Sequence, residues 1–243
     1  ESINRVSAFY REFQCEVVGD EEQLFKESYI RYWEGRHFHS NRYNFLEITH
    51  LHNKKLPHPE TIPVNVFTGV DPASSTSQSA DYSTIVSVAI DASGNRYVLP
   101  YWRKRVSPMN LAEAILLRNR VHRPEKTRVE SVGYQEMLRE YLRTQAYIPG
   151  LELKNNPRTS KSNRLETLEP FFFQGKMFIQ PDMQELKDEL LIYPRGNHDD
   201  LLDALYYAVK GNYLPTHPIR VVQPEVRQLM DFPDDEEESW ITA

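Results

Sequence analysis

From Val64 onward the apolar residues fall into short runs separated by turn residues, and the runs change period along the chain. Val64 to Val70 (VNVFTGV) is rich in β-formers and stops at Asp71-Pro72, which predicts a strand with a carboxylate at its end. A polar loop follows from Ala73 to Asp81. Ser83 to Ile90 (STIVSVAI) is a second strand, Asp91 to Asn95 a turn, and Arg96 to Trp102 a third strand. Three strands joined by short turns predict an antiparallel meander. The period then becomes helical. Leu111, Ala114, Ile115 and Arg118 share a face in 108–121, with Pro108 suited to a first turn. Beyond it the pattern predicts strands at 127–132, 151–154 and 176–179, alternating with helices at 134–144, about 161–172, 183–191 and 199–209. Alternation of this kind adds parallel strands to the meander. The expected fold class is α/β: a mixed sheet, antiparallel meander plus parallel strands, flanked by helices.

The first 63 residues read differently. Phe9, Tyr10 and Phe13, then Leu24, Phe25, Tyr29, Ile30 and Trp33, recur at helical spacing. Residues 36–63 are rich in His, Asn and Pro, closing on Pro57, Pro59 and Pro63. This composition predicts a helical linker or arm over 1–63, ahead of a main domain at 64–215. Asp231 to Glu238 (DFPDDEEE) makes 216–243 an acidic tail.

Composition narrows the classes of function. The proportions are those of an ordinary globular protein, with no run of 18 apolar residues and no apolar leader after Glu1. No membrane association and no export are expected. The only cysteine, Cys15, excludes an internal disulfide and a multi-cysteine zinc site and fits a reducing compartment. The net charge of −6 hides an uneven distribution: residues 96–128 carry nine Lys/Arg against two Glu. That basic stretch is either a phosphate-facing surface or a solvated one.

Three groups of acids stand out. Asp71 closes an apolar strand, where α/β sheets commonly present ligand-binding groups. Glu130 sits among β-branched residues in Arg128-Val129-Glu130-Ser131-Val132, a setting that suits a strand tip better than an interior. The densest signal is Gly196-Asn197-His198-Asp199-Asp200-Leu201-Leu202-Asp203-Ala204-Leu205. An acid at the start of a helix caps it, which accounts for one Asp but not three. Asp199 and Asp200 each lie about one turn from Asp203, and like charges so close are usually tolerated for a divalent cation. An all-oxygen set with at most one His favours Mg²⁺ or Mn²⁺ over zinc. Two such ions about 3.5–4 Å apart would serve an in-line phosphoryl displacement.

Together the GVDPA at 69–73, Asp81-Tyr82-Ser83, VES at 129–131 and HDDLLDAL at 198–205 resemble the nuclease domain of tailed-bacteriophage large terminases. The resemblance spans roughly 64–212 and includes the run PRTSKSNR at 157–164. It implies a ribonuclease-H-like fold and a double-strand DNA endonuclease that cuts viral DNA during genome packaging in the host cytoplasm. By motif, Asp71 and Glu130 become the first two metal ligands and catalytic acids. The third falls in 199–203, with Asp200 favoured and Asp203 and Asp199 as alternate or supporting ligands. His198 is implied as a contact to phosphate or leaving group, and Asp81 as an accessory acid. No G-x-x-x-x-G-K-[ST] phosphate loop is present, so the family's ATPase motor is expected to be missing from this sequence, and segment 1–63 to follow it. Portal and small terminase subunit are the further implied partners.

Arg103, Lys104 and Arg105 follow the third strand, and Arg158, Lys161 and Arg164 lie between the second and third acids; all six are candidate contacts to the DNA backbone. No base-reading motif occurs, so cutting without sequence preference and weak DNA binding by the isolated domain are expected. Competing readings are a resolvase or exonuclease of the same fold, a small-phosphoester hydrolase, and a non-catalytic assembly module in which the acids only cap a helix.

Overall fold

A computed structural model describes residues 23–73, 82–131, 140–142, 144, 148, 150–155, 161–196 and 199–215. Among them the order is β1 (Arg31–Ser40), β2 (Tyr43–Leu51), β3 (Lys54–Asp71), β4 (Ser83–Ile90), β5 (Arg96–Val98), β6 (Trp102–Lys104), α1 (Pro108–His122), β7 (Lys126–Ser131), β8 (Leu151–Asn155), α2 (Lys161–Glu166), α3 (Glu169–Phe173), β9 (Met177–Ile179), α4 (Gln184–Ile192) and α5 (Asp200–Val209). The sheet has nine strands in the order β6-β4-β5-β9-β1-β2-β3-β7-β8, and β4 also pairs with β3. The expected mixed sheet is therefore present. The pairs β3–β4, β4–β5 and β4–β6 are antiparallel, and β3–β7 and β7–β8 are parallel.

The arm is where the structure departs from the pattern. Residues 31–63 are strands, not a helical linker. β1 and β2 form a hairpin, and β2 pairs with the first half of β3. Pro57 and Pro59 were read as breakers because proline cannot donate to a ladder. They fall in the stretch of β3 where the β2–β3 register shifts, between Ile48↔Glu60 and His50↔Lys55, so no regular pairing is lost. The helical spacing of Tyr29, Ile30 and Trp33 is fortuitous: among the described residues of this stretch only Glu27–Tyr29 is helical, as a single 3-10 turn. Two further predicted elements are split. Pro100 separates β5 from β6, both of which line β4, and residues 167–168 separate α2 from α3. The expected helix at 134–144 is helical at 140–142 and 144, and its remainder, like residues 1–22 and the tail from 216, lies outside the described residues.

Because β9 pairs in parallel with both β5 and β1, the ladder closes on itself through β3, β4, β5, β9, β1 and β2. Trp33, Leu46, Val66, Tyr97 and Phe178 pack within that circuit. Two further cores lie on the sheet's faces. One, around Val70, Ile85 and Val129, is covered by Leu111 and Ile115 of α1. The other is covered by α5, whose every residue is buried, together with Phe172 of α3 and Leu186 and Leu190 of α4.

Strand alternation decides which residues meet α5. On β3, Val64, Val66 and Val70 face away from it, while Phe67 faces it. Gly69 shares the Phe67 face, and α5 rests directly on it. A β-carbon at Gly69 would lie 2.0 Å from the Ala204 carbonyl oxygen and 2.4 Å from the Ala208 amide nitrogen. Only glycine permits that approach.

Candidate functional site

Asp71 follows Gly69 by two residues and so projects from the same face of β3. Toward the start of α5, Asp203 directly precedes Ala204 and Asp200 stands one helical turn before it. The parallel register Val70↔Val129 brings Glu130, at the end of β7, beside Asp71. On β7 the alternation sets Val129 in the α1 core, and Arg128 and Glu130 toward α5, where Arg128 donates to the Tyr207 carbonyl at 3.2 Å. Two strand ends and the first turn of one helix thus supply four carboxylates to a single region. Glu130, Asp200 and Asp203 are all buried.

The electrostatics follow from this crowding. Burial, then the charge of Asp203, then a hydrogen bond with Glu130 and the charges of Glu130 and Asp200, push the Asp71 carboxyl well above the usual carboxylate range.

Two arginines neutralise the other acids. Arg164 of α2 is buried and donates from Nη1 to Glu130 Oε1 at 3.2 Å and to the Tyr207 hydroxyl at 2.9 Å. The same nitrogen lies 3.8 Å from Asp203 Oδ1. Burial works against its charge, but Asp203, Tyr207 and Glu130 outweigh burial and raise its pKa. Arg103 of β6 reaches in from the opposite side. Its Nη2 is 3.6 Å from Asp200 Oδ2 and 3.5 Å from Glu189 Oε1, and its Nη1 is 3.6 Å from Glu185. Its guanidinium lies 4.2 Å from the Tyr82 ring centroid, with that of Arg105 also 4.2 Å from it.

Asp200 and Asp203 are thus inside the cluster. Asp199 precedes the helix at its N-cap and its side chain makes no capping hydrogen bond. Arg103 and Arg164, expected as backbone contacts for DNA, are instead drawn inward, since each is nearly buried among acids. Lys104 and Arg105 are exposed. Lys161 opens α2, but its side chain, like Asp81, Arg158 and His198, lies outside the described residues.

Sequence reasoning missed Glu189 and Tyr207. Glu189, from the middle of α4, turns Oε2 to the amides of Leu201 and Leu202 at 3.0 and 3.3 Å and so caps α5 from another helix. Burial, only partly offset by Arg103, raises its pKa to about 7. Neither residue lies in a recognisable motif, although a lone Glu at an apolar position of α4 was a visible signal.

Among the described residues, no three acidic, histidine or cysteine side chains converge closely enough to hold a metal ion as they stand. The donor chemistry nevertheless fits a hard divalent cation: four carboxylates, with arginines supplying the compensating charge.

No protein-family model matches the chain, and the comparison with curated proteins gives no match. Among solved structures it is similar to the large terminase nuclease from thermophilic phage G20c, with TM-score 0.53 and 16% identity over 79% of this chain and 99% of that one. The magnesium-bound form of that nuclease matches with TM-score 0.52 at 16% identity over 76% and 95% of the two chains. The zinc-bound form gives 0.51 at 15% identity over 78% and 99%. At such identity the likeness speaks to the fold, and the chain has the ribonuclease-H-like fold of a large terminase nuclease.

Proposed function

We propose that this chain is the nuclease domain of a bacteriophage large terminase, a metal-dependent endonuclease that cuts double-stranded viral DNA during packaging in the host cytoplasm. The observation that carries the reading is the meeting of Asp71 and Glu130 at adjacent ends of β3 and β7, under the acidic first turn of α5. A cap-only role for the helix acids does not account for Asp71 and Glu130, which stand on strands and not at a helix start.

Asp71, Glu130, Asp203 and Asp200 would hold Mg²⁺ or Mn²⁺. The bound ion or ions would acidify the attacking water and offset the charge that builds on the phosphoryl oxygens. Asp203 joins Asp200 as a preferred ligand because its charge is the strongest of the acidic charges on Asp71. Arg103 and Glu189 orient Asp200: one pairs with its carboxylate, and the other holds the amides of Leu201 and Leu202 that follow it. The Thr84 hydroxyl fixes the same turn through the Asp200 carbonyl at 2.8 Å. The exposed Lys104 and Arg105 face solvent beside the cluster and would meet the DNA backbone. Arg158, Lys161 and His198 are proposed contacts on the motif alone. An ATPase domain, portal and small terminase subunit are the partners this reading implies.

The test is supercoiled-plasmid cleavage with Mg²⁺, Mn²⁺ or EDTA, run beside Asp71→Asn. Nicked and linear DNA should form with either ion and disappear with EDTA or the variant. No ion-dependent cleavage by the parent under any condition would overturn the proposal.

A further inference from the structure

The two arginines at the acid cluster are held differently. Arg103 is anchored by three carboxylates and by a face-on contact to Tyr82, on a strand within the sheet. Arg164 projects from α2, a helix of six residues, and a single nitrogen makes its contacts to Glu130, Asp203 and Tyr207. Its buried Nε, like that of Arg103, has no hydrogen-bond partner among the described residues. Its hydrogen bonds and ion pairs to these three residues therefore run through Nη1, and the rest of the guanidinium lies near the Tyr206 and Tyr207 rings, 5.8 and 5.9 Å from their centroids.

The position of that nitrogen matters more than its count of bonds. Glu130 comes from β7 and Asp203 from α5, and Nη1 stands between them at 3.2 and 3.8 Å. An ion of this class holds carboxylate oxygens at about 2.0–2.2 Å, so both acids can bind it only after the nitrogen has left and they have closed inward. We infer that Arg164 is a placeholder cation, whose guanidinium occupies the space between Glu130 and Asp203 until a divalent ion displaces it. The inference rests on the metal-dependent reading above for the identity of the ion.

The arrangement has a thermodynamic consequence. The arginine neutralises acids that would otherwise repel one another, so it stabilises the ion-free fold. By linkage, whatever it contributes there is subtracted from the affinity for the ion. Tyr207 braces this arrangement: its hydroxyl accepts from Arg164 at 2.9 Å and is hydrogen-bonded to Glu130, the acid the arginine holds.

The experiment is calorimetric titration of the full chain with Mn²⁺, together with thermal unfolding in EDTA and in Mn²⁺, for the parent, Arg164→Met and Tyr207→Phe. Losing one charge-assisted contact should tighten Mn²⁺ binding by about ten- to a hundredfold in Arg164→Met. Its Tm in EDTA should fall, and the rise on adding Mn²⁺ should exceed the parent's. Tyr207→Phe should shift both in the same direction by less, and it carries the test if Arg164→Met does not fold without an ion. A folded Arg164→Met, or failing that Tyr207→Phe, with unchanged or weaker Mn²⁺ binding overturns the inference. The two readings separate cleanly. A parent that binds Mn²⁺ but never cuts plasmid sinks the nuclease and leaves the placeholder standing. Cleavage with unaltered affinity in the variants does the reverse, and no Mn²⁺ binding at all sinks both.

Discussion

Gly69 lies against the backbone of Ala204 so closely that a β-carbon would sit 2.0 Å from the Ala204 carbonyl oxygen. This contact sets α5 on β3 with its first turn over the end of the strand. Asp71, two residues beyond Gly69, therefore meets Asp200 and Asp203. Gly69→Ala must push α5 away from the sheet, because the colliding atoms are backbone and cannot rotate aside. Overpacking of this kind costs about 1–3 kcal/mol or more. A clear fall in Tm by circular dichroism, with loss of plasmid cleavage, is expected. A variant that melts with the parent would contradict the packing.

The acids should separate by stability as well as by cleavage. Asp71 has a raised pKa in the fold, so at neutral pH and above, without an ion, it destabilises the folded state. Asp71→Asn keeps a donor for Glu130 and removes the potential charge. In EDTA at pH 8 its Tm should match or exceed the parent's, while the Mn²⁺-induced rise disappears and cleavage falls by about a hundredfold or more. Asp203→Asn should likewise lose the Mn²⁺-induced rise and the cleavage. Asp199→Asn, at the N-cap and outside the helix, should cut much nearer the parental rate. Equal losses at 199 and 203 would contradict this ordering.

The sequence made the main domain legible because its strands alternate or run apolar at the right length and its acids fall at strand ends and a helix start. The expected strand Ser83 to Ile90 coincides with β4. Two things were hidden. A strand that carries two of its three prolines at a register shift looks like a linker, since the pairing that tolerates them is made by β2 and lies outside the local window. The burial of Arg103 and Arg164 was also invisible. A basic residue near an acid motif reads as a surface cation unless the fold is known to turn it inward. Glu189 belongs with these, as its partners Leu201 and Leu202 are on another helix.

Glu189 offers a way to test how α5 is held. Its carboxylate satisfies two amides at the helix start, a role ordinarily filled by the N-cap side chain. Glu189→Ala removes that acceptor and leaves Arg103 with fewer acids. The expected cost is about 1–2 kcal/mol in chemical unfolding, with Glu189→Gln losing less because one amide oxygen can still accept. If Gln and Ala are equally damaging, the ion pair with Arg103 outweighs the cap.

The far end of the molecule sets a pH dependence independent of the acids. His122 closes α1 against His37, with their Nδ1 atoms 3.5 Å apart, and it is buried. Burial first, then the proximity of His37 and Arg118, lower its pKa from 6.5 to about 3. His37 is lowered as well, chiefly by burial. The unfolded chain therefore takes up protons at these sites before the folded one does. The contribution of His122 is complete above pH 6.5 and is lost as pH falls toward 3, by up to about 1.4 kcal/mol per pH unit; His37 acts in the same direction. Asp71 and Glu189 act in the opposite sense, since their raised values relieve the fold as they protonate. The informative quantity is thus the difference between parent and His122→Phe, measured by urea unfolding from pH 7 to pH 4. Phenylalanine fills the buried site without a titrating group, so its stability should fall less on acidification and the two curves should converge or cross. Parallel curves over that range would mean that His122 is protonated in the folded protein and its burial is not as described.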